Sequence, residues 1–263
     1  VLGGLAFARN SMFYANIFDY SVNMLWLSLV LLCIDRGLAG RRLAWFLAAG
    51  LVLGVALLSC PLQFMAFTVF AVVALYSLRY LIADRREFRA LPYLASIGLV
   101  VTIGVLVASV QLLPTLELIS VSFRKLTETS SGPRSLTGME TNTLALVTFV
   151  FPNLGGRLKD GMMLAEAWGG TTYFQGYIGV FAFVAAIVAV VCGDRRRTLP
   201  YALLGAGSVA MVLYTPLVRF VYDRFFIVYA FAASVLAAHG MQYLIGTGVD
   251  AARVKKVLRY FLA

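Results

Sequence analysis

Histidine, cysteine and charged residues are scarce in this chain of 263 residues. It contains one histidine (His239), three cysteines and only 13% charged residues. A structural zinc site needs four nitrogen or sulfur ligands, so the sequence predicts none built from these residues. The cysteines, Cys33, Cys60 and Cys192, lie in or beside apolar segments without paired spacing, which predicts free thiols. A glycine-rich nucleotide loop and a serine-hydrolase motif are missing too, so the sequence does not point to those enzyme classes.

Apolar residues, in contrast, make up 61% of the chain, and the mean hydropathy is +0.88. A helix that crosses a bilayer needs about 20 consecutive apolar residues. Backbone groups inside lipid must pair within their own helix, so we expect an all-α polytopic bundle forming one transmembrane domain, 1–263. About seven spans are predicted, at 20–34, 43–59, 64–82, 93–113, 176–192, 199–214 and 225–245.

The net charge of +10 is distributed unevenly along the chain. Four segments, 35–42, 79–90, 193–198 and 252–259, hold fourteen of the 22 lysines and arginines, and they fall at alternate loops. Basic residues concentrate in cytoplasmic loops, so we expect the N-terminus outside and the C-terminus in the cytoplasm of a bacterial cytoplasmic membrane. A nucleic-acid-binding protein would gather its charge on one face, so no nucleic-acid partner is predicted.

One long segment, 114–175, lies on the predicted outer side. Pro114 cannot donate a helical hydrogen bond, so we expect the fourth span to end there. From 115 to 128, a polar stripe of Glu117, Ser120, Arg124 and Glu128 lies opposite a mainly apolar side, which predicts a helix lying in the membrane interface. The apolar segment 143–151 is too short to span and predicts a re-entrant helix. Long connections often carry function, so we expect the functional site at the outer face.

Several ionisable residues stand beside apolar segments on this side: Asp19, Glu117, Glu166, Asp223, Arg124 and Arg224. A charge at that depth costs free energy unless it faces a partner or a cavity, which makes a functional role reasonable. Interfacial solvation or a structural ion pair is the alternative for each carboxylate, and contact with lipid headgroups is the alternative for the arginines. A guanidinium group suits two phosphate oxygens, so the arginines are candidate phosphate ligands.

Several stretches, taken in their order along the chain, resemble the bacterial YfhO-type membrane proteins. They are "ALLSCPLQFMAFTVFAVVALYSL" (56–78), "QLLPTLELISVSFR" (111–124), "FVFPNLGG" (149–156), "YFQGYIGVFAFVAAIVAVV" (173–191) and "DRFFIVYAFAASVLAAHGMQYL" (223–244). That family belongs to the polytopic GT-C class of glycosyltransferases, which use polyprenyl-phosphate sugars as donors. The resemblance implies sugar transfer to a cell-wall polymer or glycolipid at the outer face of the membrane. It also implies that the main catalytic carboxylate lies in an outer loop before Val1, so we expect this chain to be an internal part of a longer protein.

Chemistry assigns roles to the residues that are present. A donor phosphate leaving the sugar needs cationic ligands, and an acceptor hydroxyl needs a carboxylate to take its proton. Carboxylates could also bind a divalent cation, and aromatic rings could stack on a sugar, although an interfacial aromatic belt is the alternative for them. The candidates are Arg124 and Arg224 for donor phosphate, Glu117, Asp19 and Glu166 for assisting catalysis, and Trp168, Tyr173 and Asp223 for substrate binding.

Two other functions remain open from the sequence. A flippase or transporter of lipid-linked precursors would show polar residues at the membrane midplane and an inverted repeat. A non-catalytic membrane scaffold would leave the outer charges incidental. The expected partners of the enzyme are the lipid-linked donor, the glycan or glycolipid acceptor and membrane lipids.

Overall fold

The computed structural model describes residues 17–59, 62–121, 177–214 and 226–246, with side chains for 26–59, 66–118, 177–211 and 227–246. Seven α-helices and one short 3₁₀ helix (Asp84–Arg86) make up the regular structure of these residues. The helices are α1 (Ile17–Gly40), α2 (Leu43–Leu58), α3 (Leu62–Ile82), α4 (Ala90–Val121), α5 (Val180–Cys192), α6 (Arg195–Tyr214) and α7 (Phe226–Gly246). The all-α prediction is therefore confirmed over the described residues. Each predicted span overlaps one helix, and the membrane crossing of all seven remains a prediction.

The largest difference from the sequence prediction is at Pro114, where α4 continues to Val121. The prediction that the helix ends at Pro114 and that a separate helix starts at 115 is wrong. Proline removes one backbone donor, whose helical partner would be the Val110 carbonyl. The next residue, Thr115, donates a hydrogen bond of 2.7 Å from its hydroxyl to the Gln111 carbonyl. Apolar helices that cross membranes tolerate an internal proline of this kind. The rest of the predicted interfacial helix and the segment 143–151 lie outside the described residues.

The chain divides into two compact units. The α2–α4 unit comprises Phe18–Val73 and Phe88–Gly138, and the α5–α7 unit comprises Val1–Ile17, Ala74–Glu87 and Met139–Ala263. The single-domain prediction remains a prediction, and each unit has its own helix packing.

In the α2–α4 unit, two helices pack closely because glycines lie between them. A Cβ atom built on Gly50 would lie 2.7 Å from Ile103 Cβ, and one on Gly54 would lie 2.5 Å from Val107 Cβ. The later residue of α2 meets the later residue of α4, so the two helices run parallel. Gly104 faces Leu53 between these two contacts at a similarly short distance. Small residues at such a spacing allow helix backbones to approach closely, as in membrane helix pairs.

Small residues also mediate packing in the α5–α7 unit. A Cβ built on Gly240 of α7 would collide with the backbone carbonyl oxygen of Ala185 in α5. On another face, α7 packs against α6: Tyr201 and His239 have ring centroids 6.3 Å apart, and Gly205 lies against Ala232. The later residue of α6, Gly205, meets the earlier residue of α7, Ala232, so these two helices are antiparallel.

Large apolar side chains cover the outside of the helices. Val110 of α4 is 80% exposed and Phe181 of α5 is 89% exposed, whereas alanines dominate the buried face of α5. Two described helical segments are long and apolar enough to cross a membrane, Ala90–Leu118 and Ile227–Gly246. Only 28% of the first segment's apolar window is buried, compared with 61% of the second. The first segment is therefore the more exposed of the two.

Candidate functional site

Only two of the predicted site residues lie in described parts of the chain. Glu117 is in the last turns of α4, and Asp19 is near the start of α1, where the backbone alone is described. The remaining candidates lie outside the described residues: Arg124, Glu166, Trp168, Tyr173, Asp223 and Arg224.

The position of Glu117 follows from the length and the periodicity of α4. Residues four, seven and eleven positions before it, Leu113, Val110 and Leu106, are all exposed and lie on the same face of the helix. Glu117 is exposed as well and ends this apolar stripe. It lies 27 residues after Ala90, which corresponds to about 40 Å along a helix that rises about 1.5 Å per residue. A carboxylate thus stands at the far end of a long, exposed, apolar helix.

The opposite end of α4 is basic and aromatic. The Arg41 guanidinium carbon lies 5.8 Å from the centroid of the Phe88 ring, within range of a cation–π interaction. This contact joins the loop between α1 and α2 to the residues just before α4. Because α2 and α4 run parallel, Arg42 and Arg89, which immediately precede them, lie at the same end of the unit.

Arg41 has an unusual backbone conformation. Its φ is +49°, in the left-handed region that normally favours glycine after a helix. For a residue with a Cβ atom this conformation costs about 1 kcal/mol or more. The cation–π contact offsets part of that cost, on the order of 0.5–1 kcal/mol at an exposed site. The turn thus holds an arginine side chain over the aromatic ring.

Charged side chains also organise the basic loops of the α5–α7 unit. Arg79 lies 3.8 Å from a carboxylate oxygen of Asp84 and 5.1 Å from the centroid of the Tyr76 ring, which closes the turn after α3. Before α6, the Asp194 carboxylate accepts a hydrogen bond of 3.0 Å from the Arg196 backbone N–H. That is helix N-capping, and it has a structural role.

Sequence reasoning missed the features that the structure makes most concrete. The spacing Gly50-x-x-x-Gly54 was readable as a helix-packing motif, but Gly104 on the partner helix has no comparable signal. The contact between Arg41 and Phe88 joins residues far apart in sequence, and no local pattern indicates it. No group of three or more histidine, cysteine or acidic residues in the described ranges could hold a metal ion.

Comparisons of the chain with protein-family models, with curated proteins and with solved structures find no match.

Proposed function

We propose that the protein is a multi-pass membrane glycosyltransferase that transfers a sugar from a polyprenyl-phosphate donor to a cell-wall polymer or glycolipid. The reaction would occur at the outer face of a bacterial cytoplasmic membrane, in line with the resemblance to the YfhO-type family. The observation that carries the structural part of this proposal is α4, which joins an arginine-rich end to a carboxylate about 40 Å away through exposed apolar residues.

Membrane insertion explains both the exposed apolar side chains of the two units and the close helix packing inside each unit. Water would oppose exposure of side chains such as Val110 and Phe181, whereas acyl chains solvate them at no comparable cost. In lipid, apolar burial no longer drives helix association, and close packing between small residues does. The glycine contacts between α2 and α4 and the contact of Gly240 with α5 fit that second requirement.

The length of α4 is compatible with the two faces of a bilayer. A hydrocarbon core is about 30 Å thick, and a bilayer with its headgroup regions is about 40–45 Å thick. With Arg89 at the cytoplasmic interface, Glu117 would reach the headgroup region of the outer leaflet, even with moderate tilt. Pro114 would then lie just inside that boundary and the helix would emerge one or two turns later.

A carboxylate at that depth suits the proposed chemistry. The donor phosphate of a polyprenyl lipid lies in the same headgroup layer, beside the bilayer-embedded chain. Glu117 would bind the acceptor or a divalent cation there and assist proton removal from the attacking hydroxyl. Arg124 and Arg224 are the proposed ligands of the departing phosphate. Asp19 and Glu166 are proposed to assist catalysis, and Trp168, Tyr173 and Asp223 to bind substrate.

The test is a transfer assay on the full-length protein in proteoliposomes, with radiolabelled polyprenyl-phosphate sugars. We expect the unchanged protein to incorporate label into a glycan or glycolipid acceptor. Arg124→Ala and Glu117→Gln should each lower the rate at least about tenfold, since each removes charge near the reacting groups. Glu87→Gln, three residues before the start of α4, makes the same chemical change and is the matched control, which should keep the rate. Label that crosses the membrane without being transferred would identify a flippase and contradict the proposal.

A further inference from the structure

Four exposed arginines lie at one end of the α2–α4 unit. We define this basic end as Arg36, Arg41, Arg42 and Arg89, all of which are exposed. In the described residues, arginines form ion pairs in Arg79–Asp84 and Arg197–Asp194. Neither pair includes an arginine of the basic end. Asp35 lies next to Arg36 in sequence and has interactions of its own.

The fold assembles this charge from separate parts of the sequence. Arg41 and Arg42 end the turn between α1 and α2, and Arg89 immediately precedes α4. The parallel packing of α2 on α4 places both helix starts at the same end of the unit, and Arg41 contacts the ring of Phe88. Neither helix start carries an acidic residue in its first turn, so the positive ends of the two helix dipoles add to the arginine charge.

Exposed apolar side chains begin directly beside these arginines. On α2 they are Leu43, Trp45 and Leu47, which are 61%, 40% and 41% exposed. On α4 they are Leu91 and Leu94, 81% and 48% exposed. Cations therefore border an apolar surface within a single helical turn, with a tryptophan at the boundary. A phospholipid has the same arrangement, an anionic phosphate directly followed by acyl chains.

We propose that the basic end binds the headgroup of an anionic phospholipid, with the phosphate on Arg41, Arg42 and Arg89 and the acyl chains along α2 and α4. Arginine suits this ligand because its guanidinium group can donate two parallel hydrogen bonds to phosphate oxygens. An acidic protein segment would satisfy the charges, but it would leave the neighbouring leucines and Trp45 uncovered. The proposal is independent of sugar transfer and concerns the end of α4 opposite to Glu117.

Trp45 makes this binding measurable because it lies within one turn of Arg41 and Arg42. The other two tryptophans can be replaced, as Trp26→Phe and Trp168→Phe, which leaves Trp45 as the reporter. The full chain is reconstituted into phosphatidylcholine vesicles that contain either brominated phosphatidylglycerol or brominated phosphatidylcholine. Bromine quenches tryptophan fluorescence at short range, so the two quenching curves give the relative association of the anionic and the zwitterionic lipid beside Trp45.

We expect phosphatidylglycerol to be preferred at least about fivefold, which corresponds to about 1 kcal/mol in total, the contribution of one arginine near the headgroup layer. The variant Arg41→Gln/Arg42→Gln/Arg89→Gln should reduce the ratio to about one. The matched variant Arg41→Lys/Arg42→Lys/Arg89→Lys keeps the charge and should keep most of the preference, which separates loss of charge from loss of fold. High salt should weaken the preference for phosphatidylglycerol in the protein with its arginines intact and in the lysine variant.

Two results overturn the proposal. A ratio of about one in the protein with its arginines intact would mean that the basic end does not select anionic lipid, as expected if it binds an acidic protein instead. A preference that persists in the glutamine variant would mean that other groups attract the lipid. Circular dichroism and a single gel-filtration peak establish that each variant compared is folded.

Discussion

The close packing of α2 on α4 makes Gly54→Ala the most informative single substitution. The added Cβ atom would lie 2.5 Å from Val107 Cβ and 2.6 Å from Val107 Cγ1. Carbon atoms in contact are normally about 3.5–4.0 Å apart, so the overlap is about 1 Å. Valine in a helix has one strongly preferred rotamer and cannot turn aside. The helices must therefore separate, and a gap of 0.5–1 Å forfeits about a quarter to a half of each contact energy between them.

Overpacking of this kind destabilises proteins by about 1–3 kcal/mol, which exceeds the gain of up to about 1 kcal/mol from replacing a helical glycine by alanine. We expect Gly54→Ala to lower the free energy of unfolding by about 1–2 kcal/mol. Gly98→Ala, on α4, is the matched control because a Cβ there meets no atom within 4 Å. It should leave stability unchanged or raise it by up to about 1 kcal/mol.

The assay is unfolding of the purified protein in mild detergent, with denaturing detergent titrated in and helix content followed by circular dichroism. The quantity to compare is the free energy of unfolding of Gly54→Ala and of Gly98→Ala, because both variants make the same chemical change. If Gly54→Ala is as stable as Gly98→Ala, α2 and α4 do not pack through Gly54 as described here. A loss of stability in both variants would point instead to a general intolerance of alanine in these helices.

Three further substitutions test other parts of the fold in the same assay. Gly240→Ala places a methyl group against the backbone of Ala185, which cannot rotate away, so we expect the free energy of unfolding to fall by about 2–3 kcal/mol. Gly207→Ala is its control and should change little, because no atom lies within 4 Å of the added Cβ. Thr115→Val removes the hydroxyl that bonds to the Gln111 carbonyl beside Pro114 and should cost about 0.5–1.5 kcal/mol. Arg41→Ala keeps the left-handed backbone strain and loses the contact with Phe88, whereas Arg41→Gly relieves the strain, so the glycine variant should be more stable than the alanine variant by about 1 kcal/mol.

Each of these predictions has a contradicting result. Equal stability of Gly240→Ala and Gly207→Ala would contradict the close approach of α5 and α7. A neutral Thr115→Val would mean that the hydroxyl bond to the Gln111 carbonyl does not stabilise α4. Ser96→Ala is the comparison, since Ser96 makes a similar bond to the Pro92 carbonyl near the start of the helix. An alanine at 41 that is more stable than glycine would exclude the left-handed conformation.

Sequence reasoning located the helices well because hydrophobicity and turn signals are local. The seven predicted spans each match a helix, and the loops at 41–42 and 193–194 follow from their charged and glycine residues. The prediction failed at Pro114, because the local rule for proline does not anticipate a long apolar helix that continues past one missing donor. It could not give the parallel pairing of α2 and α4, since that depends on which small residues meet across the interface. Of the candidate site, the sequence placed Glu117 beside a span boundary, and the structure adds its exposed apolar face.

The most direct measurement of the central claim is the sidedness of the two ends of α4. In a background with Cys33, Cys60 and Cys192 replaced by serine, Glu117→Cys and Arg86→Cys are labelled in intact cells and in inverted membrane vesicles with an impermeant maleimide. The account predicts that Glu117→Cys reacts in intact cells and Arg86→Cys reacts only in inverted vesicles. Labelling of both positions from the same side would contradict it, because α4 would then not cross the membrane.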